Sequence, residues 1–399
     1  MKLKKGQERK AMENFIKQLS QLNHRLSGTR ENEQGTQLIR GIFNSFGWTS
    51  CFETFHVPGS FAYGIVVNIV ALLAIYFFLQ NHYAVSLVLY GIALISLWGE
   101  LTVSFHLLRR LHPTHKTRNI EARLDNEDDS QPLVILTAHH DTPRSGIIYH
   151  EKVAGRFAPV MIKLPPPFNR MLFPTFCAAL LLGTTLTFRP VTAASLMVPI
   201  VSILSNVILG LTLFLVLQWG FSTPSPGAND NGSGVLVLLE LARRFSTHKP
   251  SNVSVRLLAT GAEETGLFGI KAYLRRHKKE LQKRNTLFIN VETVGGGDLY
   301  WVDCEEFLGK VKYPKEGFDL LAQLEQQGVL PALPRVSLIA PTDGTTLVRA
   351  GFRILTLVGL ENQSIPTHYH RVTDTFDKLD RQNLLKAADI IDSTARGAS

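Results

Sequence analysis

The sequence predicts an α/β fold: a mixed, mostly parallel central sheet flanked by helices, with two transmembrane-type helical hairpins inserted into it. Three observations lead there. Residues 132–138, 253–260, 286–291 and 353–360 are near-continuous apolar runs, the pattern of strands buried on both faces. Residues 235–245, 266–274, 318–328 and 383–392 instead space their apolar side chains as helices do. Strands alternating with helices imply a sheet covered on both faces. Two further stretches are too long and too apolar for a soluble core.

Taken from the start, the segment MKLKKGQERKAMENFIKQLSQL mixes charges with apolar residues at helical spacing and has no continuous apolar run. It reads as an amphipathic surface helix, not a secretory leader. Residues 57–99 contain no Asp, Glu, Lys or Arg and split into two spans, 61–79 and 83–98, at the polar QNH. Residues 171–220 hold one charge, Arg189, which with Pro190 separates spans at 171–188 and 191–219. Each span has about the 17–25 residues that a bilayer requires. The chain therefore divides into 1–57, a hairpin at 58–100, 101–170, a second hairpin at 171–220, and 221–399.

A hairpin returns to the side it left, so the three polar segments share one side of the membrane. Of 399 residues 45% are hydrophobic, and the net charge is +9. Lys2, Lys4, Lys5, Arg9 and Lys10 crowd the start, and Arg109, Arg110, Lys116 and Arg118 follow the first hairpin. Basic residues bordering membrane helices place the polar part in the cytoplasm. They account for the charge without a nucleic-acid partner, since no aromatic-basic motif accompanies them. The lipid bilayer is an expected partner, and the oligomeric state is left open. Cys51, Cys177 and Cys304 lie far apart, which argues against a disulfide framework or a cysteine metal site.

The chemistry sits where the strands end. PLVILTA runs into His139, His140 and Asp141, VSVRLLAT is followed by Glu263 and Glu264, TLFINV meets Glu292, and RILTLVGL leads to His370 and Asp374. Asp230 lies in PGANDNGSG, just before a helix. Ligands of open α/β sheets bind beyond the carboxyl ends of the strands, and a mixed nitrogen and oxygen set is what zinc accepts. Each piece alone is common: a Glu-Glu pair is usually solvated, and a Gly-rich loop is usually a plain turn. Their order makes coincidence a poor explanation.

In that order the motifs TAHHDT, PGANDNGSGVLVLLELAR, LLATGAEETGLFGIKAYL, INVETVG and YHRVTDT resemble family 28 of the metallopeptidases, the co-catalytic zinc aminopeptidases and their carboxypeptidase relatives. The segment 26–48 resembles the family's opening helical region; neither apolar pair does. The resemblance implies a zinc-exopeptidase fold and two zinc ions acting on a peptide substrate. His139, Asp230 and Glu292 would hold one ion, and Asp230, Glu264 and His370 the other. Glu263 corresponds to the general base, and Asp141 to the carboxylate that orients the histidine. His140 occupies a variable position, and Asp374 is expected to support the His370 loop. The polar segments 1–57, 101–170 and 221–399 would form one catalytic domain. The family usually has Asp where Glu292 stands, which leaves the direction of trimming open between aminopeptidase, the favoured reading, and carboxypeptidase.

Three other functions compete. They are a metal-free receptor or scaffold on the same fold, a single-zinc acyltransferase resembling glutaminyl cyclase, and a transporter built on the spans, which lack the intramembrane charges of an ion relay. The second hairpin separates Asp141 from Asp230. Because a hairpin's ends can lie close together, it is expected to be an insertion that leaves the site undisturbed.

Overall fold

The computed structural model describes residues 2–79, 82–124, 130–153, 156, 172–188, 196–306, 308–363 and 365–398. The turns expected at Gln80 and at Arg189 and Pro190 lie outside the described residues. The four apolar runs form adjacent parallel strands in the order β4 (Ser254–Thr260), β3 (Leu133–His139), β5 (Leu287–Glu292) and β9 (Arg353–Leu360). Every residue of β3, β4 and β5 is buried, as the lack of alternation requires.

The flanks are antiparallel. On one side β2 (Thr114–Leu124) pairs with β4 and with β1 (Trp48–Pro58). On the other, β6 (Asp298–Glu306) runs against β9, with β7 (Lys310–Lys312) and β8 (Arg335–Leu338) beyond it. The helices α1 (Lys2–Leu19), α2 (Arg30–Ser45), α7 (Ser233–Thr247) and α11 (Arg381–Gly397) pack together on one face, joined by α9 (Lys315–Gln326). On the other face α8 (Phe268–Lys283) lies against β1 and β2, with the short α10 (Asp343–Arg349) beside it.

The apolar pairs leave this sheet at defined points. β1 and β2 pair from Trp48 opposite Leu124 to Pro58 opposite Thr114. The helices α3 (Phe61–Phe78) and α4 (Tyr83–Leu101) therefore sit at the tip of a long β-hairpin. β2 is antiparallel to β4, so this tip projects from the edge where the parallel strands end. The second pair, α5 (Phe173–Phe188) and α6 (Met197–Phe221), departs and returns nearby: Arg144 bridges Pro224, and Ser145 N donates to Thr223 O at 2.9 Å.

The four helices form a bundle with its own core, which includes Ile65, Ile69, Leu97 and Leu182 and is separate from the core around the sheet. Tyr90 Oη donates to Ala179 O at 2.7 Å, and Thr175 meets Thr212 at 2.9 Å between α5 and α6. The outer surface stays apolar, with Val88, Ile95, Val207 and Phe214 each about 60% exposed. Water does not retain a surface of that kind, whereas lipid does. By length and composition α3, α4 and α6 can cross a membrane. With 16 residues, α5 is shorter than the four-span expectation assumed.

Candidate metal centre

Four adjacent strands and one loop build the site. His139 ends β3 and Glu292 ends β5. The turn after β4 carries Glu263 and Glu264, and the loop after β9 carries His370. Asp230 comes from the loop before α7. Gly227 starts that loop at φ +63, and a Cβ there would lie 2.2 Å from Thr142 Cγ2. Only glycine fits such a turn.

Asp230 lies between the two histidines. Its Oδ1 is 3.3 Å from His139 Nε2 and its Oδ2 is 3.2 Å from His370 Nε2. Glu292 Oε1 is 3.2 Å from His139 Nε2, and Glu264 Oε2 is 3.5 Å from His370 Nε2. Three donor groups result, with the donor atoms of each within 4.8 Å of one another: His139–Asp230–Glu292 and Asp230–Glu264–His370, which share Asp230, and His139–Glu263–Glu264. Glu263 Oε2 is 4.0 Å from His139 Nε2.

The donors suit divalent cations. Asp230 Oδ2 and Glu292 Oε2 are buried without a hydrogen-bond partner. Arg25, a fully buried cation nearby, spends its hydrogen bonds on the carbonyls of His140, Pro226 and Gly227. So many carboxylates, with His139 and His370 as their nearest cations, are costly to bury. Their proton affinities record this. Burial raises Glu292 and Glu264 to about 7 despite the nearby histidines. Burial also raises Glu263, well above the usual range, with Glu264 and Glu292 adding to it against His139. Burial opposes the charge on His370, but Glu264 and Asp230 outweigh it and lift the imidazole to about 10. Without an ion the cluster holds protons in its place.

Supporting groups fix these side chains. Asp141 Oδ1 lies 3.6 Å from His139 Nδ1, and the Asp141 carbonyl oxygen lies 3.1 Å from the same nitrogen. Its carboxylate also accepts from Glu263 N at 3.0 Å and Glu264 N at 3.2 Å, and so shapes the turn that carries both glutamates. The Asp374 carboxylate accepts from Asn229 N at 2.7 Å and Asp230 N at 3.0 Å, which aims Asp230 and ties its loop to the one that carries His370. His140 points away, with Nε2 2.8 Å from Arg118 O. Sequence reasoning assigned no role to Asp343, which accepts from Thr260 Oγ1 and is buried, nor to Asn231, whose Oδ1 accepts from Gly234 N and Thr293 N. Both depend on contacts between segments remote in sequence.

Both hairpins reach the centre. Arg109, read from the sequence as a membrane-border charge, is fully buried. Its Nη2 is 3.2 Å from Glu100 Oε2 at the end of α4, and its Nη1 donates at 2.7 Å to Thr265 O, in the turn after Glu263 and Glu264. His106 Nδ1 is 3.0 Å from the same Glu100 oxygen. A Cβ at Gly64 on α3 would lie 2.6 Å from Glu100 Oε2, so glycine makes room for the pair. The second hairpin ends at Trp219, whose ring stacks 6.5 Å from that of His370 and whose Nε1 donates to Arg144 O at 3.0 Å. Tyr149 and Tyr369 enclose the other sides of His370 at 4.5 and 3.9 Å. The expectation that the second hairpin stands clear of the site is therefore corrected: the last turn of α6 is part of its wall.

This arrangement is a candidate metal centre on a mixed sheet flanked by helices, similar to zinc-aminopeptidase folds. Residues 216–395 match the model of Peptidase family M28. It is similar to Aminopeptidase YwaD of Bacillus subtilis, 30% identical over 183 residues, which are 42% of this chain and 36% of that protein. The chain thus spans about a third of the length of this curated relative. Among solved structures, an aminopeptidase from Aneurinibacillus has a similar fold at TM-score 0.56 and 15% identity, with 97% and 92% of the two chains covered. A glutaminyl cyclase from Bacteroides thetaiotaomicron also matches, at TM-score 0.56 and 14% identity, with 98% of each chain covered. At such identities these two likenesses concern the fold alone.

Proposed function

We propose that the chain is a membrane-embedded exopeptidase of the two-zinc type, which removes single residues from the amino end of peptides. The observation that carries the reading is the pair of donor sets sharing Asp230. His139, Asp230 and Glu292 would hold one zinc, and Asp230, Glu264 and His370 the other. Bound there, the ions would supply the Lewis acidity that activates a water and polarises the scissile carbonyl.

The chain's own residues do the rest. Glu263, next to both sets but outside the pair that shares Asp230, accepts the proton of the attacking water and returns it to the leaving amine. Asp141 holds the Glu263 backbone and the His139 ring together, so base and ligand move as one. The excess of carboxylates in the cluster favours the positively charged amino end of a peptide over its carboxyl end. Similarity to an aminopeptidase supports the same direction. The apolar outer faces of α3, α4 and α6 support embedding in a bilayer, and the basic residues beside them support a cytoplasmic catalytic part.

A peptide screen on detergent-purified, zinc-loaded protein tests the direction. Acetylating the amino end should abolish release, while amidating the carboxyl end should not. The opposite pattern would make the chain a carboxypeptidase.

A further inference from the structure

Outside the four apolar helices, large apolar side chains are exposed at few places, and those places cluster. Among the described residues, besides Leu196 just before α6, they are Phe105, Leu107, Leu111, Ile147 and Val372, with Val329 and Ile339 on other segments. The first three ride on the loop that follows α4. That loop folds back along the helix, where Leu108 N donates to Ser96 Oγ at 3.1 Å, and it sends Arg109 to Thr265 O beside Glu264. Ile147 N donates to Gln218 Oε1 on α6 at 2.9 Å, and Val372 follows Arg371, whose Nε donates to Tyr149 O at 2.7 Å. The metal centre is thus flanked by exposed apolar groups on its Glu264 side and on its His370 side. Single exposed apolar residues are ordinary on a soluble surface, whereas a group of them around one site marks a surface that something apolar covers.

A second observation sets the depth of the centre. Of the four tryptophans, Trp48 and Trp301 are buried in the core around the sheet. Trp98 and Trp219 instead stand close to Leu101 and Phe221, the domain-side ends of α4 and α6. Phe61 and Tyr63 open α3 at the same level, where the Phe61 ring meets that of Trp219 at 6.0 Å. Tryptophan and tyrosine collect at the ends of membrane helices, level with the lipid headgroups. Trp219 is also the residue whose ring lies 6.5 Å from that of His370. A proposed metal ligand therefore sits one ring away from the side chain that marks the membrane surface. Arg110, exposed between Leu107 and Leu111, adds a cation that anionic headgroups attract.

We propose that this apolar rim docks onto the bilayer surface, so that the metal centre works at headgroup level on the free amino ends of polypeptides anchored in the same membrane. The inference rests on the peptidase reading and names its substrate class. Lipid is the occupant of the rim because the rim meets, at Phe221, the exposed apolar surface of α6, and that surface is the one read as lipid-facing. An extended chain advances about 3.3–3.6 Å per residue. A chain anchored beside the rim thus needs only a few residues to bring its end to the metals, whereas a centre held above the membrane would need a long tether.

The test uses the full chain with zinc in vesicles of phosphatidylcholine and phosphatidylglycerol. Leu111→Cys, Ile147→Cys and, as a control, Val329→Cys are made one at a time in a chain whose Cys51, Cys177 and Cys304 are replaced by alanine, and each is labelled with a fluorophore. Lipid carrying a spin label at its headgroup should quench the dyes at 111 and 147, and aqueous iodide the dye at 329. Quenching at 111 and 147 by iodide alone overturns the docking, and shielding from both quenchers overturns it in favour of a second copy of the chain. kcat/KM is then compared for peptides with the same first two residues: one unanchored, and two joined at the carboxyl end to a diacyl lipid. The lipid follows a short or a long spacer, spanning about 10 Å or about 40 Å when extended. The short form should be cut as fast as the long one. Leu111→Ser combined with Ile147→Ser should slow the short form by about tenfold, the scale of moving one apolar side chain out of lipid, and leave the unanchored peptide unchanged. A short form cut about tenfold more slowly than the long one by the wild type, or a double variant that keeps the wild-type rate on it, overturns the inference. If no peptide is cut, anchored or free, the peptidase reading fails, and the quenching still decides whether the rim meets lipid.

Discussion

The two apolar hairpins reach the same candidate metal centre by different physics. The first is tied to it by charge: Glu100, Arg109 and Thr265 O form a buried chain from the end of α4 to the turn bearing Glu263 and Glu264. The second is tied by ring contact: Trp219 lies over His370, and its indole N–H holds Arg144 O. A buried ion pair tolerates little displacement before one charge is stranded, whereas stacked rings can slide at small cost. The first hairpin is thus the stiff connection and the second the soft one. Both end beside proposed ligands, although neither hairpin supplies one.

Breaking the stiff connection should have the larger effect. Arg109→Met leaves Glu100 buried without its partner, a loss of about 3–5 kcal/mol. A lowered midpoint of thermal unfolding in detergent should show it, with kcat falling more than KM rises. Adding Glu100→Gln should restore most of the stability. A single variant as stable as the wild type would remove the ion pair from the account. Breaking the soft connection should do less to stability and more to the metal: Trp219→Ala should weaken zinc binding by about tenfold, the lower end of what supporting contacts contribute. Unchanged zinc affinity would reduce Trp219 to a wall of the site.

A smaller effect tests the electrostatics shared by both connections. His370 is lifted to about 10, so the stability it gives the ion-free chain is fully present below its ordinary value and is lost as pH rises through about 10. Glu264 and Glu292, raised to about 7, hold protons that a folded ion-free chain gives up only as pH rises through that value. Zinc must displace all of these protons. Its affinity should therefore climb between pH 6 and 8 by about tenfold or more per unit, read by competition with a chelator. A flat profile would mean that the cluster is not protonated as described.

The sequence made the catalytic edge legible and concealed its supports, for physical reasons. β3, β4, β5 and β9 are buried on both faces, so their apolar runs stand out, and proposed ligands such as His139 and Glu292 sit directly at their ends. β1 and β2 lie toward an edge and carry many partly exposed polar residues, so no apolar run marks them. That concealed the β-hairpin from which the first helical pair projects. Arg109 looks like any basic residue after a membrane helix, and only folding brings it to Thr265, 156 positions away. Asp374 lies in the matched YHRVTDT motif, yet its carboxylate serves a loop some 145 residues earlier, which no local pattern reveals.

The central claim is that one carboxylate, Asp230, serves two metal ions. Zinc content per folded chain, measured after removal of free metal, tests it most directly. Wild-type protein should hold about two ions, His139→Ala and His370→Ala about one each, and Asp230→Ala close to none, as loss of a shared ligand demands. Glu263→Gln, which leaves every proposed ligand in place, should keep about two ions while losing at least about a hundredfold in turnover. A wild type that binds a single zinc, or an Asp230→Ala chain that loses no more metal than the histidine variants, would contradict the account.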